Sequence, residues 1–275
     1  MMTRKDSVYR LTETAILLAF AAVLSVIKII DMPYGGSVTA FSMLPLLVIA
    51  YRHGTRWGTF AAFTYGIIQL LLGLDNFSYA TSALAGIMIF LFDYLLAFVV
   101  LGLGGLFRHD KLSQGASLSF AAVTTGVLRY FCHVVSGCTV WAGLSVPTPQ
   151  AVLYSLSYNA SYMIPEIIIL VLGAVYLSRL LSLSGNRVSR VSAVGNTPPR
   201  IAVLFSAIAK TALLVTVVVM VCHVFPALQW EDGTLFLQGL KNVPWATVGL
   251  IGLIGSWVFL LLEYLCARIT LKKTV

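Results

Sequence analysis

The sequence predicts an all-α integral membrane protein of about eight spans, a six-helix core followed by two further C-terminal transmembrane helices, with both termini cytoplasmic. Three observations carry this. Of 275 residues, 59% are apolar and only 10% charged, where soluble domains run about 25% charged. The apolar residues fall into segments at roughly 11–30, 38–51, 57–73, 80–106, 116–142, 150–178, 201–225 and 245–267, most of them near the roughly 20 residues a helical span requires. The joints between them alternate in charge. A soluble enzyme is thereby excluded.

The first segment follows the charged stretch MMTRKDSVYR, and no small-residue cleavage site comes after it. It therefore reads as a spanning helix, not a removable signal. The second and third segments are short, as expected of helices that are tilted or enclosed by neighbours. Along the joints, Arg4, Lys5 and Arg10 come first, then a loop with Asp31 alone. Arg52 and Arg56 precede a loop with Asp75 alone, and Arg108 and Lys111 precede the uncharged GLSVPTPQ. Arg179, Arg187, Arg190 and Arg200 precede a loop with Glu231, Asp232 and Lys241, and the tail holds Arg268, Lys272 and Lys273. That is the positive-inside pattern for both ends in the cytoplasm. The net charge of +8 is thus a topology signal distributed over short joints, with no long basic face for nucleic acid. Residues 183–200, LSGNRVSRVSAVGNTPPR, form a polar linker. It divides a core of 1–182 from an appendage of 201–275.

Cys132, Cys138, Cys222 and Cys266 lie in or beside apolar segments without a CxxC pair, so they read as small packing residues and no metal site is expected. Ionisable groups inside spans are costly and face a partner or a cavity. Lys28 and His223 lie near outer ends and Glu13 and Glu263 near inner ends, where they can reach the headgroups; Lys210 is deeper but has a long stem. Asp93, Arg129, His133 and Glu166 have no such exit. Asp93 and Arg129 lie about 13 residues from the outer ends of their helices and Glu166 about 16, which is about 20 Å at 1.5 Å per residue. A buried Arg129–Glu166 or Arg129–Asp93 bridge is expected.

On the fifth helix Arg129, His133, Gly137 and Trp141 are four apart and share a face. On the sixth, Tyr154, Tyr158 and Tyr162 form a stripe beside Asn159, with Tyr162 expected in the interfacial aromatic belt. An amide such as Asn159 must meet protein, water or ligand. On the fourth, Asp93 and Tyr94 are adjacent. A carboxylate, an imidazole, an amide and several aromatic faces suit a small organic cation with a flat ring.

Five ordered segments, LTETAILLAF, MPYGGSVTAFSMLPLLVIAYRHG, LFDYLLAFVVLGLGGLF, RYFCHVVSG and LYSLSYNASYMIPE, resemble the thiamine-specific substrate-binding (S) components of energy-coupling factor (ECF) transporters, the ThiT family, over about residues 8–182. The resemblance implies six transmembrane helices with thiamine bound near the outer face, under the loop joining the first two. It implies a ligand set of Asp93, Tyr94, His133, Gly137, Trp141, Tyr154 and Asn159, with Tyr34 of MPYGG as an aromatic cover. Arg129 and Glu166 are expected as a supporting pair. Asp93 departs from the glutamate of some members by one methylene. Ala15, Ala19 and Ala22 on the first helix are small residues that admit a close neighbour; by resemblance that neighbour is the coupling transmembrane subunit, with internal packing as the alternative. Two ATP-binding subunits are the further implied partners, because no GxxxxGK[ST] occurs here.

The implied function is high-affinity capture of thiamine for ATP-driven import across a bacterial plasma membrane, with no catalysis and no cofactor. The same scaffold tuned to another vitamin or a thiamine precursor stays open, as does a self-sufficient proton-coupled transporter using Asp93, Arg129 and Glu166, although no inverted repeat is visible. An intramembrane enzyme would need a motif such as HExxH or GxSxG, and neither occurs.

Overall fold

The computed structural model describes residues 4–32, 35–109, 112–142 and 149–191, with only the backbone of 141 and 142, and scattered residues from 201 onward. The chain divides into two units, Met1–Val191 and Ser192–Val275. In the first, α1 (Arg4–Val26) leads into a hairpin of β1 (Lys28–Asp31) and β2 (Ser37–Thr39), then α2 (Leu44–His53) and α3 (Thr55–Leu72). A 3₁₀ turn over Leu74–Tyr79 precedes α4 (Ala83–Phe107), α5 (Gln114–Ala142) and α6 (Pro149–Leu180), and a small hairpin of β3 (Leu181–Ser182) and β4 (Ser189–Arg190) closes the unit. In the second unit β5 (Trp230–Glu231), β6 (Thr234–Leu235) and α7 (Trp245–Gly252) are described. The expected segment 201–225 falls largely outside the described residues.

Among the described residues, α1, α4, α5 and α6 are long and apolar enough to cross a membrane. The protein is mostly helical. Its short hairpins are a departure from the purely helical expectation. The first apolar segment ends at Val26 instead of 30, because Lys28–Asp31 pairs antiparallel with Ser37–Thr39. β-branched residues flank a turn containing Gly35 and Gly36, which favours a hairpin over a continued helix. Lys28 accordingly meets Asp31 at 2.9 Å within the hairpin instead of a headgroup.

The short second segment has a physical explanation. Pro45 in its first turn suits a helix start, and every residue from Pro45 to Arg52 is buried. At ten residues, or about 15 Å, α2 is shorter than the hydrocarbon core is thick, and its apolarity serves the protein interior. Leu46, Leu47 and Ile49 join Tyr65, Phe98 and Leu101 in the core. Tyr65 donates to the Ala21 carbonyl at 3.0 Å and meets Phe98 edge-on at 5.0 Å.

Glu13 is not a headgroup-seeking residue. Its carboxylate takes Arg52 at 2.6 Å and His53 at 2.9 Å, and Arg52 also donates to the Leu183 carbonyl at 2.7 Å. Burial pushes the His53 imidazole below its ordinary value, with Glu13 opposing and Arg52 adding to the shift. Gln114 holds the β3–β4 hairpin by bonds of 2.7 Å to both Leu181 and Leu183.

Candidate functional site

α4 is not a uniform helix. It begins as α-helix over Ala83–Met88, widens to π over Ile89–Leu96, and tightens to 3₁₀ over Val100–Phe107. Such π stretches recur at functional sites because they re-aim side chains, and this one carries Asp93. The Asp93 Oδ1 lies 2.7 Å from His133 Nδ1, and Ser136 donates to Oδ2 at 2.6 Å. Both partners stand on α5, at the i, i+3 spacing that shares a face.

The carboxylate sets the imidazole tautomer: Nδ1 carries the proton that faces Oδ1. His133 Nε2 is buried and has no hydrogen-bond partner among the described residues. A buried polar atom without a partner costs about 1–3 kcal/mol, so a polar group placed at this edge would be stabilising. Asp93 itself keeps 30% of its side chain exposed while both of its oxygens are held.

α6 forms the other wall. Tyr154 stacks on Tyr158 at 5.9 Å, Tyr158 meets Tyr162 edge-on at 5.7 Å, and Tyr162 meets the His133 ring at 6.1 Å. Tyr162 is a correction: it is 6% exposed and donates to Asn159 Oδ1 at 2.5 Å, so it belongs to the interior and not to an interfacial belt. Asn159 finds its partners in protein. Its amide nitrogen donates to Ser155 O at 2.8 Å and to Ser155 Oγ at 3.1 Å, while its oxygen keeps a second lone pair. Gly137 marks where α5 and α6 meet: a Cβ there would lie 2.3 Å from Ser155 Oγ and 3.3 Å from Asn159 Nδ2. It is a close-approach position against α6.

Of the two expected pairings for Arg129, the structure has the one with Glu166, at 3.2 Å. Arg129 also donates to the Met43 sulfur at 2.7 Å and lies 4.6 Å over the Phe98 ring. Tyr94 turns away from the Asp93 group despite being its neighbour in sequence. Its hydroxyl donates to the Gly73 carbonyl and accepts from Asn76, both at 2.7 Å, and its ring stacks on Phe77. Tyr34 and the side chain of Trp141 lie outside the described residues.

The structure therefore brings together Asp93, His133, Asn159 and the tyrosine stripe, leaves Tyr94 at the 74–79 turn, and adds Ser136, which sequence reasoning missed. Ser136 was findable as the residue three beyond His133. Ala15 and Ala19 are exposed on α1, while Ala22 is half-buried against the core. Nearby, an apolar cavity of about 540 Å³ lies among α1, α2 and the end of α6, lined by Ile16, Phe20, Pro45, Val48 and Leu177. Glu13 also lines it, but its carboxylate is occupied by Arg52 and His53.

The family model described as "Thiamine transporter protein (Thia_YuaJ)" matches residues 11–183. The chain is 31% identical over 179 residues to the thiamine transporter ThiT of Bacillus subtilis, covering 61% of this chain and 89% of that protein. It is 29% identical over 160 residues to the thiamine transporter ThiT of Lacticaseibacillus paracasei, covering 54% of this chain and 75% of that one.

Proposed function

This chain belongs to the thiamine transporter protein family, and on that premise we propose that it is the substrate-binding component of an energy-coupling factor importer, capturing thiamine with high affinity at the outer face. Import is then driven by two ATP-binding subunits acting through a coupling transmembrane subunit. The chain sits in a bacterial plasma membrane with about eight spans and both termini cytoplasmic, a reading supported by the charge alternation along its joints.

One observation carries the site assignment: the Asp93 carboxylate is held by His133 and Ser136 beside a buried His133 Nε2 that has no partner among the described residues. Thiamine is a cation with an aminopyrimidine that presents a primary amine and ring nitrogens. The amine supplies a donor to Nε2 and the carboxylate. The positive thiazolium lies among carboxylate and phenol faces that attract it. Tyr154 and the second lone pair of Asn159 Oδ1 bound the pyrimidine edge, and Trp141 and Tyr34 are assigned as the stacking and covering rings. Binding of this kind needs no catalytic group. The chain orients and desolvates a ligand that it later releases unchanged.

Intrinsic fluorescence of the detergent-purified chain, which has five tryptophans, tests the reading. Thiamine should change the emission saturably at submicromolar concentration, and riboflavin and biotin should not. A folded chain indifferent to thiamine would withdraw the substrate.

A further inference from the structure

The β1–β2 hairpin is fastened to the tyrosine stripe and to the buried ion pair at two separate points. Toward its tip, the Gly36 amide donates to Tyr158 Oη at 3.1 Å. The approach is so close that a Cβ at Gly36 would lie 2.7 Å from that oxygen and 3.0 Å from the Tyr162 ring. At its base, Thr39 Oγ1 donates to Glu166 Oε1 at 2.6 Å. Because the Thr39 proton is spent on the carboxylate, Ser42 Oγ, 2.6 Å away, must be the donor to Thr39. Thr39, Ser42 and Glu166 are all buried.

The turn that follows is strained. Phe41 has φ +62°, a left-handed conformation that an aromatic residue adopts only when its surroundings impose it. Its ring packs against Gly173 of α6, where a Cβ would lie 2.6 Å away. The second oxygen of Glu166 holds Arg129, one helical turn before His133 on α5. The contacts thus close a ring: Thr39, Glu166, Arg129, then along α5 to His133, through Tyr162 and Tyr158 to Gly36, and back along the hairpin.

We propose that Glu166 is a positioning residue for ligand retention, holding the hairpin down over the tyrosine stripe through Thr39 while its other oxygen holds Arg129. This rests on the thiamine-binding reading above. Glu166 and Thr39 act through the hairpin and through each other, since the partners of Glu166 among the described residues are Thr39 and Arg129. Their bond to an ionised acceptor keeps the strained Phe41 turn in place, and the turn keeps Gly36 on Tyr158. Loosening the base lets the hairpin lift and the ligand leave faster, while the Asp93–His133–Ser136 group that meets the ligand is unchanged.

The test is stopped-flow fluorescence of the purified full-length chain with thiamine. Thr39→Val keeps the side-chain shape and removes the hydroxyl; it should raise the dissociation rate roughly tenfold, the scale of losing one hydrogen bond to a charged group. The association rate should stay within about twofold, and Thr39→Ser should restore slow release, which general loosening of the fold would not predict. Unchanged release from folded Thr39→Val, a change confined to association, or no rescue by Thr39→Ser would each overturn the assignment. If Thr39→Val does not fold, Thr39→Ala carries the same test, and failure of both to fold would make Thr39 a folding residue and overturn it too. Absence of thiamine binding by the parent chain removes the substrate reading and this inference together; parent binding with unaltered variant release removes this inference alone.

Discussion

Asp93 was conspicuous in the sequence because a carboxylate in an apolar helix needs a reason, and the structure supplies two partners, His133 and Ser136. The Asp93→Asn protein keeps the shape, so its loss is confined to charge and to one of the two acceptor oxygens. Removing one charge-assisted bond costs about 1.5–3 kcal/mol, or roughly a 10- to 100-fold weaker thiamine affinity. Fluorescence titration reads this directly, and an unchanged dissociation constant in a folded variant would take the carboxylate out of recognition. His133 was equally legible, since a lone imidazole in a span is rare. Ser136 was not, because serine is commonplace in membrane helices and its value comes from where Asp93 stands. The partners of Tyr94 were not legible either, for the complementary reason. Adjacency in sequence places consecutive helical side chains about 100° apart, and here the second one faces Gly73 and Asn76.

At the scale of elements, the site depends on how closely α5 and α6 approach. Gly137 permits that approach, with Ser155 Oγ at 2.3 Å from where a Cβ would stand. Gly137→Ala should push the helices apart, costing about 1–3 kcal/mol as an overpacked contact and disturbing the Asn159 amide beside it. Thermal unfolding in detergent should show a lowered midpoint together with weaker thiamine binding; a midpoint equal to the parent's would mean that α6 yields without cost. The positions of α3, α4, α5 and α6 were readable as apolar segments to within a few residues. The π stretch of α4 was not, because a change from i→i+4 to i→i+5 bonding leaves no mark in composition. The hairpin was hidden inside the first two apolar segments: Ile29, Ile30 and Val38 serve a strand as well as a helix, so apolarity alone cannot place the boundary. The purpose of α2 emerges only from its surroundings, since complete burial and exposure to lipid ask for the same apolar residues.

For the molecule as a whole, the proposed docking role of the outward face of α1 makes a prediction about transport, not about binding. Ala15 and Ala19 are exposed there, and small residues let another helix come close. Ala19→Glu should abolish thiamine uptake by cells carrying the partner subunits while leaving thiamine binding by the purified chain within about twofold, a margin worth only about 0.4 kcal/mol. Parallel loss of binding and uptake would assign the face to internal packing, a role already visible for Ala22. Composition and the spacing of apolar segments determined by themselves that the chain is a helical membrane protein, because the free energy of transferring a segment into a bilayer is nearly a sum over its residues. The ordered motifs of residues 8–182 determined the family for a related reason: local residue order is what a family shares. Which oxygen of Asp93 meets which donor, that Arg129 pairs with Glu166, and that Thr39 ties a hairpin to that pair were decided by tertiary structure alone. Those contacts join residues 37 to 127 positions apart, and hydrogen bonds form or fail over tenths of an ångström, a scale that only the packed helices set.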